Sequence, residues 1–310
     1  MTTPTPPRSE QTTGVLYALG AYLLWGVLPL YFLLLAPTGP WEIVAWRVLF
    51  SLVFCVVLLA VMRGWQRLWA IVRRPRLLGL TALAGLLIYV NWQAFLIGTL
   101  DDKVVETSLG YFINPITTVL LGVFLLHERM RRLQWVAVGI AALAVVVIIV
   151  AYGSVPWIAL TLTLSFGFYG LIKKKIGPSV DAVSGLTLES FWLIPIAVVQ
   201  LIAVGMTTGI TIGNHGVWHT VLLCFAGVAT AVPLLLFASG ARRINLTVIG
   251  MIQFITPIMQ FLIGVVILHE PMPTERWIGF ILVWVAVGVF VVDLLIAARR
   301  HRRTPAPELV

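Results

Sequence analysis

The chain reads as a succession of apolar runs, each about 20 residues long, separated by short polar breaks. A helix rising 1.5 Å per residue needs about 20 mostly apolar residues to cross ~30 Å of hydrocarbon. Ten segments meet that need: residues 14–36, 41–62, 77–98, 105–126, 133–152, 156–173, 181–204, 217–240, 246–268 and 276–297. Each is predicted to be helical, because an open sheet edge in lipid leaves backbone groups unsatisfied. The expected fold is an all-α integral membrane protein of ten transmembrane helices, the fourth and ninth being the most polar.

Composition agrees. Hydrophobic residues make up 60% of the 310 and charged residues only 11%, against roughly 25% charged in a soluble domain. The net charge of +9 would suit a nucleic-acid binder if the basic residues formed a patch. They lie instead at the ends of the apolar runs, and no nucleic-acid partner is expected.

Sorting the 21 basic residues by alternate loops gives an orientation. Eighteen fall on one side: Arg8, Arg63, Arg67, Arg73, Arg74, Arg76, Arg129, Arg131, Arg132, Lys173, Lys174, Lys175, Arg242, Arg243, Arg299, Arg300, Arg302 and Arg303. The other side holds Lys103 and Arg276, and Arg47 lies within a run. The positive-inside rule makes the basic side cytoplasmic, with both termini there, in a multi-pass protein of the plasma (inner) membrane. The N-terminal MTTPTPPRSEQTT lacks the apolar core and cleavage site of a secretory signal, so the first run is expected to be retained. Residues 1–12 and 299–310 read as cytoplasmic tails, the second basic, and both are expected to be disordered. Cys55 and Cys224 suggest packing rather than a metal or disulfide framework, and no cofactor is expected.

The chain also repeats itself at an offset of 142. Phe112, Ile113, Pro115 and Gly122 match Phe254, Ile255, Pro257 and Gly264; His127-Glu128 and Trp135 match His269-Glu270 and Trp277. Ala84-Gly85 and Phe95 match Ala226-Gly227 and Phe237. The repeat divides the chain into residues 13–152 and 153–298, five runs each. Five is odd, so the second copy enters the membrane from the opposite side. Two inverted five-helix repeats around a central cavity are the expected architecture, as in many secondary transporters.

The residues of the fourth run carry a family resemblance. The stretch ETSLGYFINPITTVLLGVFLLHERMRRLQW, from Glu106 to Trp135, resembles the fourth-span signature of RarD-type permeases, members of the EamA family in the drug/metabolite transporter superfamily. Asn91-Trp92, the segment from Ser165 to Ile176, Leu188-Glu189 and Val232 to Leu235 resemble the same subgroup. The resemblance covers residues 13 to 297 and implies a ten-helix inverted-repeat permease or exporter with a central cavity. Two positions depart from it: His127 stands where glycine is common, and Trp46 where histidine is common. The second departure removes a titratable group beside Arg47.

An ionisable side chain facing lipid costs ~2.5–3.5 kcal/mol or more, so one within a run calls for a partner or a wet cavity. Arg47 and Glu189 qualify, at depths of roughly 9 and 12 Å from opposite faces, and they are equivalent under the repeat. They could attract each other or polarise one cavity. Glu189 is the candidate for proton coupling, since desolvation favours the neutral form of a carboxyl. Polar groups expected on a cavity wall are Asn91, Trp92 and Gln93; Tyr111, Asn114 and Thr118; and Gln253, Thr256 and Gln260. The last two sets share spacings of 3 and 4, one helical face each. Pro115 and Pro257 follow Asn114 and Thr256; a proline frees a carbonyl one turn earlier and permits a kink, which suits a gate.

Seven tryptophans near run ends (Trp41, Trp65, Trp69, Trp135, Trp157, Trp218, Trp277) read as an interfacial belt. Of those inside runs, Trp92 is expected to face the cavity, whose aromatic walls suit aromatic or amphipathic solutes. The two His-Glu pairs lack the second histidine of a zinc motif and are expected to end helices and anchor loops. His215 and His219 are expected on a solvated surface, and Gly20, Gly26, Gly79 and Gly85 to permit close helix approach.

No nucleotide-binding loop is present in the sequence. The leading expectation is a non-enzymatic secondary transporter of small organic metabolites or drugs, working by alternating access, with the solute and membrane lipid as partners. An integral-membrane enzyme acting on a lipid or quinone would need clustered nucleophiles at one depth, and a membrane assembly protein would transport nothing.

Overall fold

The computed structural model describes residues 8–126, 131–152, 155–241, 243, 244, 248 and 252–303. These residues are almost wholly helical. The elements are α1 (Arg8–Leu33), α2 (Pro40–Val61), α3 (Trp65–Val72), α4 (Pro75–Leu100), α5 (Val104–Leu126), α6 (Arg132–Tyr152), α7 (Trp157–Ile176), α8 (Ala182–Trp192), α9 (Ile194–Thr207), α10 (Gly216–Ala241), α11 (Ile255–Leu262) and α12 (Thr274–Arg303). A π-helical turn, Ile263–Ile267, extends α11. The helices start at Arg8 and run to Arg303, so residues 8–12 and 299–303, expected as tail, are helical.

Among the described residues six helices, α1, α2, α4, α6, α10 and α12, are long and apolar enough to cross a membrane, and α8 with α9 makes a seventh as one span bent by 46°. The apolar parts of α7 (Trp157–Lys173) and of α11 with its π turn (Ile255–Ile267) are shorter. Large apolar side chains stand on the outside of this bundle, including Leu83 and Leu86 on α4, Val146 and Val150 on α6 and Ile202 and Met206 on α9. Water would not tolerate such a surface in a monomer of this size; lipid does. All seven tryptophans expected in the belt are exposed.

One short helix escaped the reading of apolar runs. α3 packs Ile71 into a cluster with Ile176, Val180 and Leu188 while Trp65 and Trp69 face outward. One buried face and one aromatic face suit a helix lying along an interface.

The helices pack in a set of pairs. α1 packs on α10 and α4 on α7; α2 on α10 and α4 on α8; α1 on α11 and α5 on α7; α5 also meets α11, and α6 lies along α12. Close approach depends on glycine at several places, among them Gly85 on α4 and Gly227 on α10. A Cβ on Gly85 would lie 2.9 Å from the Glu189 carbonyl oxygen on α8, and one on Gly227 would overlap the backbone of Phe50 on α2. Gly26 is similarly tight against Met259 and Gly20 is in ordinary contact with Leu236, whereas Gly79 has open space around it, contrary to expectation.

Loops 34–39, 101–103, 208–215 and 268–273 contain a single basic residue, Lys103. At this basic-poor end three glutamates fasten one half of the chain to the other. Glu42, 1% exposed, accepts hydrogen bonds from the Thr211 and Ile212 amides at 2.9 and 3.3 Å and from the Thr211 hydroxyl at 3.0 Å. Glu106 accepts from the Ile158 amide at 3.0 Å, near the start of α7. Glu270 accepts from the Val104 and Val105 amides at 2.6 and 3.1 Å, the first turn of α5. The amides that begin a helix have no intrahelical acceptor, and the helix dipole favours a negative charge there. The His-Glu pair therefore does anchor, and His269 leaves the helix at φ 53°; the other pair, His127-Glu128, lies outside the described residues.

His219 corrects an expectation. It is buried, and its Nε2 lies 2.9 Å from Thr38 Oγ1 and 3.1 Å from the Leu35 carbonyl. A histidine that turns inward from the first turn of α10 finds these polar partners in loop 34–39 rather than water.

Candidate functional site

A cavity of about 790 Å³, including its opening to solvent, lies among α1, α2, α4, α5, α7, α10 and α11. Each helix contributes a face set by its periodicity. α4 turns in Ile88, Asn91, Trp92 and Phe95; the chain at and before α11 turns in Gln253, Thr256, Pro257 and Gln260. Both sets follow the i, i+3, i+4, i+7 pattern of one helix face. α5 contributes Tyr111 and Asn114, α10 Thr230 and Leu234, α1 Tyr22, Trp25 and Leu28, α7 Phe166 and α2 Arg47.

Arg47 is the charge in this wall. It is 3% exposed, its Nε donates to Thr230 Oγ1 at 2.6 Å, and its Cζ sits 4.3 Å from the centre of the Trp92 ring and 5.4 Å from that of Phe32. The Thr230 hydroxyl can accept because its own proton goes to the Ala226 carbonyl at 2.8 Å. Arg47 Nη1 has no hydrogen-bond partner, and among the described residues no carboxylate lies within ion-pair distance of the guanidinium. An aromatic face attracts a cation through its quadrupole, more so where both are dry.

The amides divide in two. Asn91 is occupied: its Nδ2 donates to the Leu162 carbonyl at 3.0 Å and to Ser165 Oγ at 3.1 Å, and the Tyr111 hydroxyl donates to its Oδ1 at 3.4 Å. Thr256 and Gln260 hold α11 to α1, donating to the Tyr22 and Trp25 carbonyls at 2.7 and 3.3 Å. The side-chain amide oxygens Asn114 Oδ1 and Gln260 Oε1 are buried without a partner. A site with apolar walls and a few unpaired polar groups is the common form of a small-molecule site.

The structure therefore gathers Arg47, Asn91, Trp92, Tyr111, Asn114, Gln253, Thr256, Pro257 and Gln260 on one wall system. Pro115 lies within α5 but not on the wall, Thr118 turns outward and bonds the Asn114 carbonyl, and Gln93 pairs with Gln200. Glu189 also lies elsewhere. Its Oε1 is 2.7 Å from Lys173 Nζ and its Oε2 accepts from the Tyr169 hydroxyl at 3.2 Å. Arg47 and Glu189 thus have separate partners, and Lys173, assigned to a loop by charge sorting, reaches back along its aliphatic stem. Trp25, Tyr22, Phe166 and Thr230 are wall residues that the sequence reading did not single out.

Comparison with known proteins places the chain in a family. The model of the EamA-like transporter family matches twice, at residues 12–150 and 154–292. Protein RarD of Streptomyces exfoliatus is 44% identical over 295 residues, covering 95% of this chain and 93% of that protein. Protein RarD of Escherichia coli (strain K12) is 39% identical over 287 residues, covering 93% and 96%. A solved crystal structure shares the fold at a TM-score of 0.58 and 17% identity, covering 91% of this chain and 98% of that one. The chain belongs to the EamA-like transporter family, as a RarD-type permease.

Proposed function

We propose that this membrane protein is a secondary transporter of small organic solutes, working by alternating access between two inverted five-helix repeats whose shared cavity is the solute site. The observation that carries the reading is that the wall is built twice. Tyr111 and Gln253, Asn114 and Thr256, Ile88 and Thr230, and Trp92 and Leu234 are four pairs of wall residues, each related by the offset of 142. The two family matches begin at 12 and 154, the same 142 apart. Exchange of the halves also maps the helix pairs onto each other: α1 with α10 becomes α7 with α4, α2 with α10 becomes α8 with α4, and α1 with α11 becomes α7 with α5.

In this reading ten spans return both termini to one side, the bias of basic residues makes that side cytoplasmic and the basic-poor end external, and the cavity lies between. Rocking of one repeat against the other then exposes the cavity to each side in turn. Pro115 and Pro257, equivalent under the repeat, supply the bending points by releasing the carbonyls of Tyr111 and Gln253. Asn91, Tyr111 and Trp92 fix the wall against which Arg47 is held. Glu189, outside the cavity, is the carboxylate assigned to proton coupling: protonation would dissolve its ion pair with Lys173 and loosen α8 from α7.

The test is flux of a panel of amino acids, aromatic metabolites and amphenicols in proteoliposomes, with and without a pH gradient. Saturable flux of at least one solute supports transport. Absence of any flux, together with absence of any ligand-induced thermal shift, removes it.

A further inference from the structure

Resting on that reading, the charge pattern of the cavity narrows the solute class. We infer that the solute is an organic monoanion: one carboxylate facing Arg47, a flat apolar body, and a hydroxyl or uncharged N–H donor that meets the free amide oxygens.

Three observations carry this. The first is charge. Arg47 is 3% exposed, among the described residues no carboxylate lies within ion-pair distance of it, and Nη1 lacks a partner, while Thr230 takes only the Nε proton. A buried guanidinium with no counter-ion is costly, and a carboxylate is the group that its fork of donors fits best. A single cation balances a single negative charge, which disfavours a phosphate dianion, and it repels organic cations.

The second is shape. Trp92 lies across the guanidinium, and Trp25, Phe95 and Phe166 line the cavity with it. A flat ring can pack on these faces while its carboxylate approaches Arg47. The third is the pair of acceptors. Asn114 Oδ1 and Gln260 Oε1 are buried without donors, and a site built to bond a donor discriminates against ligands lacking one.

The experiment is ligand binding to the purified full chain in lipid nanodiscs, read by tryptophan fluorescence and confirmed by thermal shift. The probes are benzoate, phenylacetate, phenylpyruvate and phenyllactate, each beside its neutral amide, with phenethylamine as the cation. The expected result is that a carboxylate binds at least about tenfold more tightly than its own amide, the scale of losing one partner of a buried charge pair. Phenyllactate should exceed phenylacetate, which lacks the hydroxyl. Arg47→Gln should bring carboxylate and amide together. Arg47→Lys, which keeps the charge, should retain the preference at lower affinity and guards against a misfolded Gln variant. Amides binding as well as acids, tighter binding of phenethylamine, or no binding by any of the carboxylates overturns the inference. Saturable flux of neutral or cationic solutes in the liposome assay would then leave the transporter reading standing alone.

Discussion

Arg47 and Trp92 form one unit, the guanidinium carbon 4.3 Å from the indole centre across the α2–α4 boundary. Their equivalents in the second half differ in kind, since the repeat places Glu189 and Leu234 there. The cavity is therefore duplicated in outline and asymmetric in charge. Trp92→Leu, which copies the second half's residue, removes the ring that offsets part of the desolvation of Arg47. A cation–π contact of this kind contributes about 0.5–2 kcal/mol. Solute affinity should fall by a few-fold to tens-fold in equilibrium binding, and the thermal midpoint should fall as well, because Trp92 is 6% exposed and packs in the main apolar cluster.

Glu270 holds the first turn of α5 from the other half of the chain. Glu270→Ala leaves the Val104 and Val105 amides without an acceptor, and should cost about 1–3 kcal/mol, the scale of a buried unsatisfied donor or a lost helix cap. Glu270→Gln keeps one acceptor oxygen and should lose less. Thermal midpoints of the two variants in detergent separate these outcomes.

The same carboxyl carries a pH dependence. Burial pushes Glu270 above the usual carboxylate range, against the amides of Val105 and Val104 and the nearby charge of Arg276. A carboxyl raised in the folded state binds its proton more tightly there than in the unfolded chain. Its contribution is present below the ordinary carboxylate range and lost as pH rises through the raised folded value. The thermal midpoint should therefore decline across that window, and Glu270→Gln should flatten the decline.

The glycine contacts predict a contrast within one helix. Gly85→Ala drives a methyl to 2.9 Å from the Glu189 carbonyl, where only backbone could give way, and Gly227→Ala meets the Phe50 backbone. Each should cost about 1–3 kcal/mol. Gly79→Ala meets nothing within 4 Å and should be neutral or stabilising by up to about 1 kcal/mol. Melting temperature and expression level check the order.

Glu189 has two predicted behaviours that two variants separate. Lys173→Met leaves the buried Glu189 carboxylate with only the Tyr169 hydroxyl and should destabilise by up to roughly 3 kcal/mol. Glu189→Gln should leave downhill exchange intact and abolish the response of flux to a pH gradient. Unchanged pH-driven flux in that variant removes Glu189 from coupling.

How much of this was legible in the sequence depends on whether the signal is local. Arg47 stood out because a charge within an apolar run has few explanations, and the stripes Tyr111–Asn114 and Gln253–Thr256–Gln260 stood out because helical spacing puts them on one face. Thr230 gave no signal: a hydroxyl in an apolar helix usually bonds its own backbone, as Thr230 does with Ala226, and its second role as acceptor for Arg47 exists only across helices. Trp25 and Tyr22 lie in the part of the chain where the repeat matches poorly. The acids at 42, 106 and 270 were visible near run ends, but their targets are amides of the other half, a matter of packing. The reach of Lys173 to Glu189 and the inward turn of His219 were hidden for the same reason. α3 was missed because eight residues are too few to register as a run.

The central claim is that one cavity, walled by both halves, opens to each side of the membrane in turn. Single cysteines at Asn114 and at its repeat equivalent Thr256, in a chain with Cys55 and Cys224 replaced, can be labelled with a membrane-impermeant thiol reagent applied to one side of oriented vesicles at a time. The account predicts that each position is labelled from both sides and that a transported solute protects it. Labelling from one side only under every condition would contradict alternating access, and labelling from neither side would contradict the cavity as the solute site.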